Sequence, residues 1–508
     1  MTRKWIQAVW LFLMVLLVQA GAPAFANDEE VLFAGTGKSD ITDYDAGPVN
    51  DPLFVKALVL KRGDELAVLL TVDAVAIGEI GRIGNDFLPN LRKQVRQQLK
   101  LDPERLLINA SHCHGVIRRK GLEDLTIAAI RAAVQGLCPV RVGTGIGKQD
   151  QVQENRRLLL KSGKVIDVRH AYSLPPDDEV ASAGPIDSDI GICRLDRMDG
   201  TTLAVLYNFA CHPIQGVPGG KNTADLIGYA SRLIETAYSR QAMAFFLQGC
   251  GGDINPVDYK DAHHPRHASV PGNRLGISVL AASREIECQP DHRLMFFSET
   301  IDLPRGDRSE RIRQLEGEKV RLVNSLRGTS LNLKNFMSLM VKYQLSPEYP
   351  SANAHRYLQQ KLIQSEDLES LDQENLRNMK AYLQNVLTME RITRINTNLD
   401  LLKKHQARMV ESGSRTVKVE ICALQVGDFR LVTFPGELTV QIGLNIKQHA
   451  KKKNSFVAGY TNGYVYYCPT AEQMKNSGGA QEDSDCLLAP QWQEIFERRA
   501  LQMLNRLE

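Results

Sequence analysis

The residues of this chain best suited to chemistry begin with two histidines, His112 and His114, in the run Leu106-Leu-Ile-Asn-Ala-Ser-His-Cys-His-Gly115. Neutral imidazole is the commonest protein ligand for a metal ion. The apolar residues Leu106 to Ile108 read as a buried strand, and in an extended chain residues two apart point to one side. Both imidazoles are therefore expected to face one pocket, with Gly115 turning the chain away. Alone, such a pair is as readily incidental, so partners must come from elsewhere. His212 is one candidate, placed where the apolar run Leu203 to Phe209 stops before Pro213. Glu437, in Phe434-Pro435-Gly436-Glu437, is another; it is expected in the first turn of a helix, whose dipole would favour the ionised carboxylate. Asp73 also ends a strand, where it could serve a site or merely cap a turn. Arg156 presents a planar fork of donors suited to polarising a carbonyl, or to a structural ion pair. The stretch Gly249-Cys250-Gly251-Gly252-Asp253-Ile254-Asn255-Pro256 allows a tight turn whose N–H groups could converge on an oxyanion. It lacks the spacing of a phosphate-binding loop. Four tyrosines crowd Val457 to Thr470.

The elements that must position these residues form an α/β pattern. Leu53 to Leu60 and Leu66 to Val72 read as a hairpin across Lys61-Arg62-Gly63-Asp64-Glu65. Asn90 to Leu99 and Leu122 to Val134 read as helices, and Ala242 to Gln248 as an apolar strand. From about Arg308 to Val410 glycine is scarce and Leu, Glu, Lys, Arg and Gln dominate. That segment is expected to be helical near residues 310–325, 331–343, 354–363 and 368–409, the last with breaks. The fold class expected is mixed β-sheets flanked by helices, with a long helical insertion. The boundaries are a leader over 1–26, an α/β part over 27–307, the insertion over 308–410 and a second α/β part over 411–508. The insertion suits a lid, a dimer contact, a membrane-facing surface or a plain scaffold.

With 508 residues, 43% hydrophobic and 24% charged, the chain can bury sizeable cores. A formal charge of +3 and the lack of a basic block interleaved with aromatics argue against a nucleic-acid partner. Arg3 and Lys4, the apolar run Val9 to Ala20 and Ala24-Phe25-Ala26 read as a signal peptide cleaved near Ala26, which implies export. Nine cysteines occur without a C-x-x-C pair, so no thiolate zinc cluster is indicated. Cys468 and Cys486 are the pair to test for a disulfide.

Six motifs occur in one order: Ser111-His112-Cys113-His114, Asn155-Arg156, Asn208 with His212-Pro213, Gly252-Asp253-Ile254-Asn255-Pro256, Pro435-Gly436-Glu437 and Asn462-Gly463-Tyr464. In this the chain resembles the neutral/alkaline, non-lysosomal ceramidases, from about Gly35 to Thr470. The resemblance implies one Zn2+ held by His112, His212, Glu437 and Tyr464, with His114, Arg156 and Tyr467 lining the substrate pocket. It further implies attack of zinc-bound water on an amide carbonyl, His114 transferring a proton and Arg156 stabilising the oxyanion. The implied substrate is a small lipid-like molecule, ceramide, released as sphingosine and fatty acid. Two departures stand out. Asn255 occupies the position of a family serine, which removes a serine-nucleophile route but leaves a group able to hydrogen-bond the substrate carbonyl. About 40 residues follow Tyr464, whereas the ceramidases continue into an immunoglobulin-like domain. Hydrolysis of another envelope acyl amide or ester, or a non-catalytic zinc-containing role, stays open beside ceramide cleavage.

Overall fold

The computed structural model describes residues 31–168, 175–217, 221–239, 241–260, 267–347, 354–475 and 480–507. The leader expected over 1–26 lies outside them. The described residues form two compact units, one within 31–304, 416–472 and 490–507, the other within 305–415 and 473–489.

The first unit is built on an eight-stranded sheet. Its strands are β1 (Phe33–Asp40), β2 (Phe54–Arg62), β3 (Glu65–Val72), β4 (Leu106–Ala110), β5 (Cys138–Lys148), β6 (Asp189–Arg197), β7 (Thr202–Phe209) and β8 (Met243–Gln248), in the spatial order β8-β7-β6-β5-β1-β2-β3-β4. The expected hairpin is β2 and β3, paired antiparallel from Val55 opposite Val72 to Arg62 opposite Glu65. The two outermost pairs, β3 with β4 and β7 with β8, are parallel. A second sheet orders β9 (Leu294–Pro304), β10 (Thr416–Val426), β11 (Phe429–Thr433) and β12 (Ser455–Ala458), with β11 and β12 parallel.

Alternation along these strands explains the layers. Leu58, Leu60 and Leu69 face Phe296, Leu424, Leu431 and Phe456 between the sheets. The intervening Val55, Ala57, Val59, Val68 and Leu70 face the opposite side, against α1 (Phe87–Gln94) and α2 (Leu122–Gln135). At the far end of the sheet, α3 (Asp225–Tyr238) and α4 (Ser269–Arg284) cover Val205, Tyr207 and Phe246. The result is mixed sheets flanked by helices, as the sequence predicts. Strand β4 is buried at all five positions. Each of its large apolar side chains contributes on the order of 1.5–3 kcal/mol of burial, which anchors the residues that follow it.

The helical unit contains α5 (Ser309–Ser325), α6 (Leu333–Leu345), α7 (Ala354–Leu362) and α8 (Asp367–Ser412). The expected breaks in the last helix do not occur: α8 runs 46 residues and stops at Gly413, which adopts φ 60°. Its interior contains neither Gly nor Pro, so nothing in the local chain interrupts the hydrogen-bond ladder. Among the described residues no helix is long and apolar enough to cross a membrane.

Candidate metal centre

The first unit collects its chemistry at the C-terminal ends of strands. Beyond β4 lies His112, beyond β7 His212, beyond β8 the glycine-rich turn, beyond β11 Glu437 and beyond β12 Tyr460 to Tyr467. Side chains gathered at strand ends rest on a packed sheet while their loops remain free to shape a pocket.

His112, His212 and Glu437 form one buried cluster whose ligand atoms all lie within 4.8 Å of one another. Each histidine is oriented by a backbone carbonyl. The Nδ1 of His112 is 2.6 Å from the carbonyl of Val75, and that of His212 is 3.0 Å from the carbonyl of Ile254. A carbonyl only accepts, so both Nδ1 atoms carry the proton and both Nε2 atoms present bare lone pairs. These point at the same carboxylate oxygen, Oε2 of Glu437, from 3.5 Å for His112 and 3.2 Å for His212. Burial pushes the His112 imidazole down to about 4, and it lowers His212 as well. Burial alone would raise Glu437, yet positive charge facing it at the His112 and His212 positions and the Tyr464 hydroxyl bring it well below the ordinary carboxylate range. Two neutral imidazole lone pairs thus converge on an ionised carboxylate, three acceptors without a hydrogen among them. A divalent cation reconciles that arrangement, and two nitrogens with one oxygen suit zinc. Carbonyls holding the distal ring nitrogens are the expected outer support for such ligands.

Glu437 owes its position to a different local structure from the one the sequence suggests. It lies in a two-residue strand, Glu437–Leu438, paired with Tyr467–Cys468, and the helix α9 (Val440–His449) begins only afterwards. The helix dipole therefore does not account for its ionisation. Tyr464 donates its hydroxyl to Oε1 of Glu437, and Tyr460 donates to Oε2 at 3.3 Å. Burial and the Glu437 charge keep both phenols well above their usual range. The structure thus brings Tyr464 to the cluster as a donor to Glu437.

His114 lies beside the cluster but on its open side. His112 has φ 65°, so the chain is not extended there; His112 is buried while His114 is exposed. Their rings still meet edge to face at 5.5 Å. Loss of solvent around the His114 ring, with His112 adjacent, pushes its imidazole down to about 4. Arg156 is buried, with its guanidinium 5.5 Å over the Tyr467 ring. Its Nη2 donates to the carbonyl of Gly252 at 2.5 Å and its Nη1 to Oδ1 of Asn255 at 3.3 Å. Asn255 is fully buried in the strand Ile254–Pro256, paired with Gln153–Asn155.

The glycine-rich turn does not cradle an anion. The N–H groups of Gly249, Gly251, Gly252 and Ile254 are taken by the carbonyls of Phe209, Gly249, Leu438 and Gly251. Gly252 instead allows close approach: a Cβ there would lie 2.5 Å from the Glu437 carbonyl oxygen. Asp73 accepts from the Phe54 amide at 2.9 Å, so its carboxylate ties its strand end to the start of β2 and does not cap the turn that follows it. No disulfide joins any of the nine cysteines; Cys468 and Cys486 each turn the thiol toward a carbonyl two residues away in their own segment, that of Tyr466 and of Leu488.

Sequence reading missed the residues that tie these loops together. Asp253, fully buried, accepts from the Val440 amide at 2.8 Å, while its carbonyl accepts from the Arg156 amide. Asn109 donates to Gly459 and Thr461 and accepts from the Gln248 amide. Asn462 clasps β4 through the Ile108 amide and the Leu106 carbonyl. Polar residues inside apolar runs were the available signal, since buried Asn and Asp require partners. Positive φ at Glu79, His112, Tyr460, Asn462 and Tyr466 concentrates backbone strain around the cluster, as functional sites often do.

No family model matches the sequence, and no curated protein sequence matches it. Solved structures do. A neutral ceramidase from Pseudomonas aeruginosa aligns over 94% of this chain and 75% of its own, with a TM-score of 0.57 and 15% identity. A structure described as ceramidase complexed with C2 aligns over 94% and 76%, with a TM-score of 0.57 and 14% identity. With its strand-end cluster in place, the chain has a neutral ceramidase-like fold.

Proposed function

We propose that this chain is a zinc-dependent amidohydrolase of the ceramidase kind, acting on a small lipid-like N-acyl amide, with ceramide the first candidate. One observation carries the reading: two oriented, neutral imidazoles and an ionised glutamate converge with bare lone pairs at the strand ends of this fold. Zinc held there by His112, His212 and Glu437, with Tyr464 as the remaining protein donor, would acidify water and polarise a carbonyl.

The chain's own residues supply the rest. Val75 and Ile254 fix the imidazole tautomers through their carbonyls. Tyr464 and Tyr460 hold the Glu437 carboxylate by donating to its two oxygens. His114, largely neutral at pH 7 and exposed beside His112, would take a proton from the attacking water and return it to the leaving amine. Arg156, Asn255 and Tyr467 form an adjoining wall for the acyl amide. Asn255 in place of a serine favours widening the search to other acyl amides and esters if ceramide proves inert. Export after cleavage near Ala26, with the substrate met in the cell envelope, completes the reading.

The test is release of sphingosine from a short-acyl ceramide by the mature protein, with and without a zinc chelator, beside His212→Ala. Chelator-sensitive release that the variant lacks is expected. A folded, zinc-loaded protein that releases neither amine nor acid from any acyl amide or ester would refute the reading.

A further inference from the structure

We infer that Asn255, rather than Arg156, donates the hydrogen bond to the substrate's acceptor oxygen, and that Arg156 is the positioning residue that orients it. This rests on the amidohydrolase reading and names the group within that site which reads the substrate.

Arg156 is already engaged by the protein. Its Nη2 bonds the Gly252 carbonyl, its Nη1 bonds Oδ1 of Asn255, and its Nε lies 3.4 Å from Oδ2 of Asp167, an acid as buried as itself. A guanidinium ringed by these partners and balanced by a buried carboxylate is held in place. Three of its five N–H groups thus hold its plane against the protein, and turning that plane toward a developing oxyanion would leave those partners unpaired.

Asn255 is the complementary case. A guanidinium only donates, so the amide must turn its Oδ1 toward Arg156, and this assigns the other end as Nδ2. That Nδ2 is buried and has no hydrogen-bond partner among the described residues. The neighbouring residue, Ile254, carries the carbonyl that orients His212, and Arg156, bonded to Asn255, lies over Tyr467, which pairs with Glu437, so Asn255 sits next to the metal cluster. A buried donor left unpaired costs about 1–3 kcal/mol, which is tolerable where a ligand completes it. With Oδ1 occupied, Asn255 can only donate. It therefore selects a carbonyl oxygen or an oxyanion, where a serine hydroxyl could also accept from the substrate.

The experiment measures kcat and KM on a short-acyl ceramide, or on the acyl amide or ester found in its place, together with zinc content. The variants are Asn255→Asp, Asn255→Ser, Arg156→Met and the double variant Arg156→Met/Asn255→Ala against Asn255→Ala. Asn255→Asp keeps the acceptor for Arg156 and replaces the free donor by an acceptor, adding a charge that Asn255→Ala, read beside it, does not. It is expected to lower kcat by about 10²–10³-fold with zinc content and thermal midpoint unchanged, and Asn255→Ser should recover part of the loss. The double variant should be no slower than Asn255→Ala, because Arg156 acts through Asn255. Wild-type kcat in Asn255→Asp, or losses that multiply in the double variant, would overturn the inference; if Arg156→Met does not fold, the Asn255 variants decide. Failure of the broader reading shows earlier, as zinc-loaded wild type that cleaves nothing.

Discussion

The two units solve opposite problems, one with sheets flanked by helices and the other with helices. The first unit fixes atoms. Its strands β4, β7, β8, β11 and β12, remote in sequence, end together, and buried polar groups such as Asn109, Asp253 and Asn462 bond across the loops that follow. The helical unit fixes only segments. Its compact apolar cluster is small, with Leu315, Ile395, Leu399 and Leu402 at its centre. Leu333, Leu345, Leu362 and Leu371 stay at least half exposed. The α6 helix rests on α8 through Phe336 stacked on Tyr382 at 4.7 Å and the Tyr343 hydroxyl on Asp372. Long-range bonds between loops hold a reacting geometry to fractions of an ångström, whereas a helix held by one apolar seam tolerates change on its other faces.

That contrast can be attacked by substitution. The largest effect is expected for Glu437→Gln, which keeps the shape and removes the charge on which both Nε2 atoms converge. Zinc measured by mass spectrometry of the purified protein should fall below stoichiometric, and hydrolysis should drop by several kcal/mol in transition-state stabilisation, about 10³-fold. Retention of one zinc per chain would break the metal assignment. Asp253→Ala comes next. It frees the Val440 amide and leaves Arg157, whose Nε is 3.8 Å from Asp253, without that buried counter-charge. A loss of about 3–5 kcal/mol in urea unfolding is expected, and an effect under about 1 kcal/mol would deny that buried bonds between loops hold the site.

A subtler prediction concerns pH. Burial pushes Asp73 up to about 6, even though Lys56 and the Phe54 amide favour its ionised form. The folded value lies above the unfolded one near 3.9, so the folded state prefers the protonated acid. That contribution is complete below about pH 4 and is lost as pH rises through 6. Asp73→Asn should therefore gain on wild type between pH 4 and pH 7, by up to about 3 kcal/mol for a shift of two pH units. Urea midpoints at the two pH values measure it, and parallel curves would refute it. The smallest effects belong to the helical unit: Leu345→Gln and Leu362→Gln, at positions 80% and 84% exposed, should move stability by no more than about 0.5 kcal/mol. A loss above 2 kcal/mol would show those faces to be covered, and the contrast would have to be redrawn.

What the sequence determined by itself was whatever depends on near neighbours. Alternation placed the β2–β3 hairpin, and helical spacing placed α2 and the helices of the insertion, because a period of two or of 3.6 is written in adjacent residues. The order of six short motifs went further and pointed to the ceramidase-like architecture, naming His112, His212 and Glu437 before any geometry was known. Only the tertiary structure decided how those residues meet. It turned His112 inward through a positive φ, put Glu437 on a two-residue strand instead of a helix, and used the glycine-turn amides internally. It also left the Asn255 Nδ2 buried with no hydrogen-bond partner among the described residues. The physical reason is that these outcomes depend largely on partners distant in sequence, as Val75 to His112 and Asn109 to Gly459 illustrate. A linear pattern records which residues are apolar or polar, but a buried polar atom's role is settled by the atoms that surround it after folding.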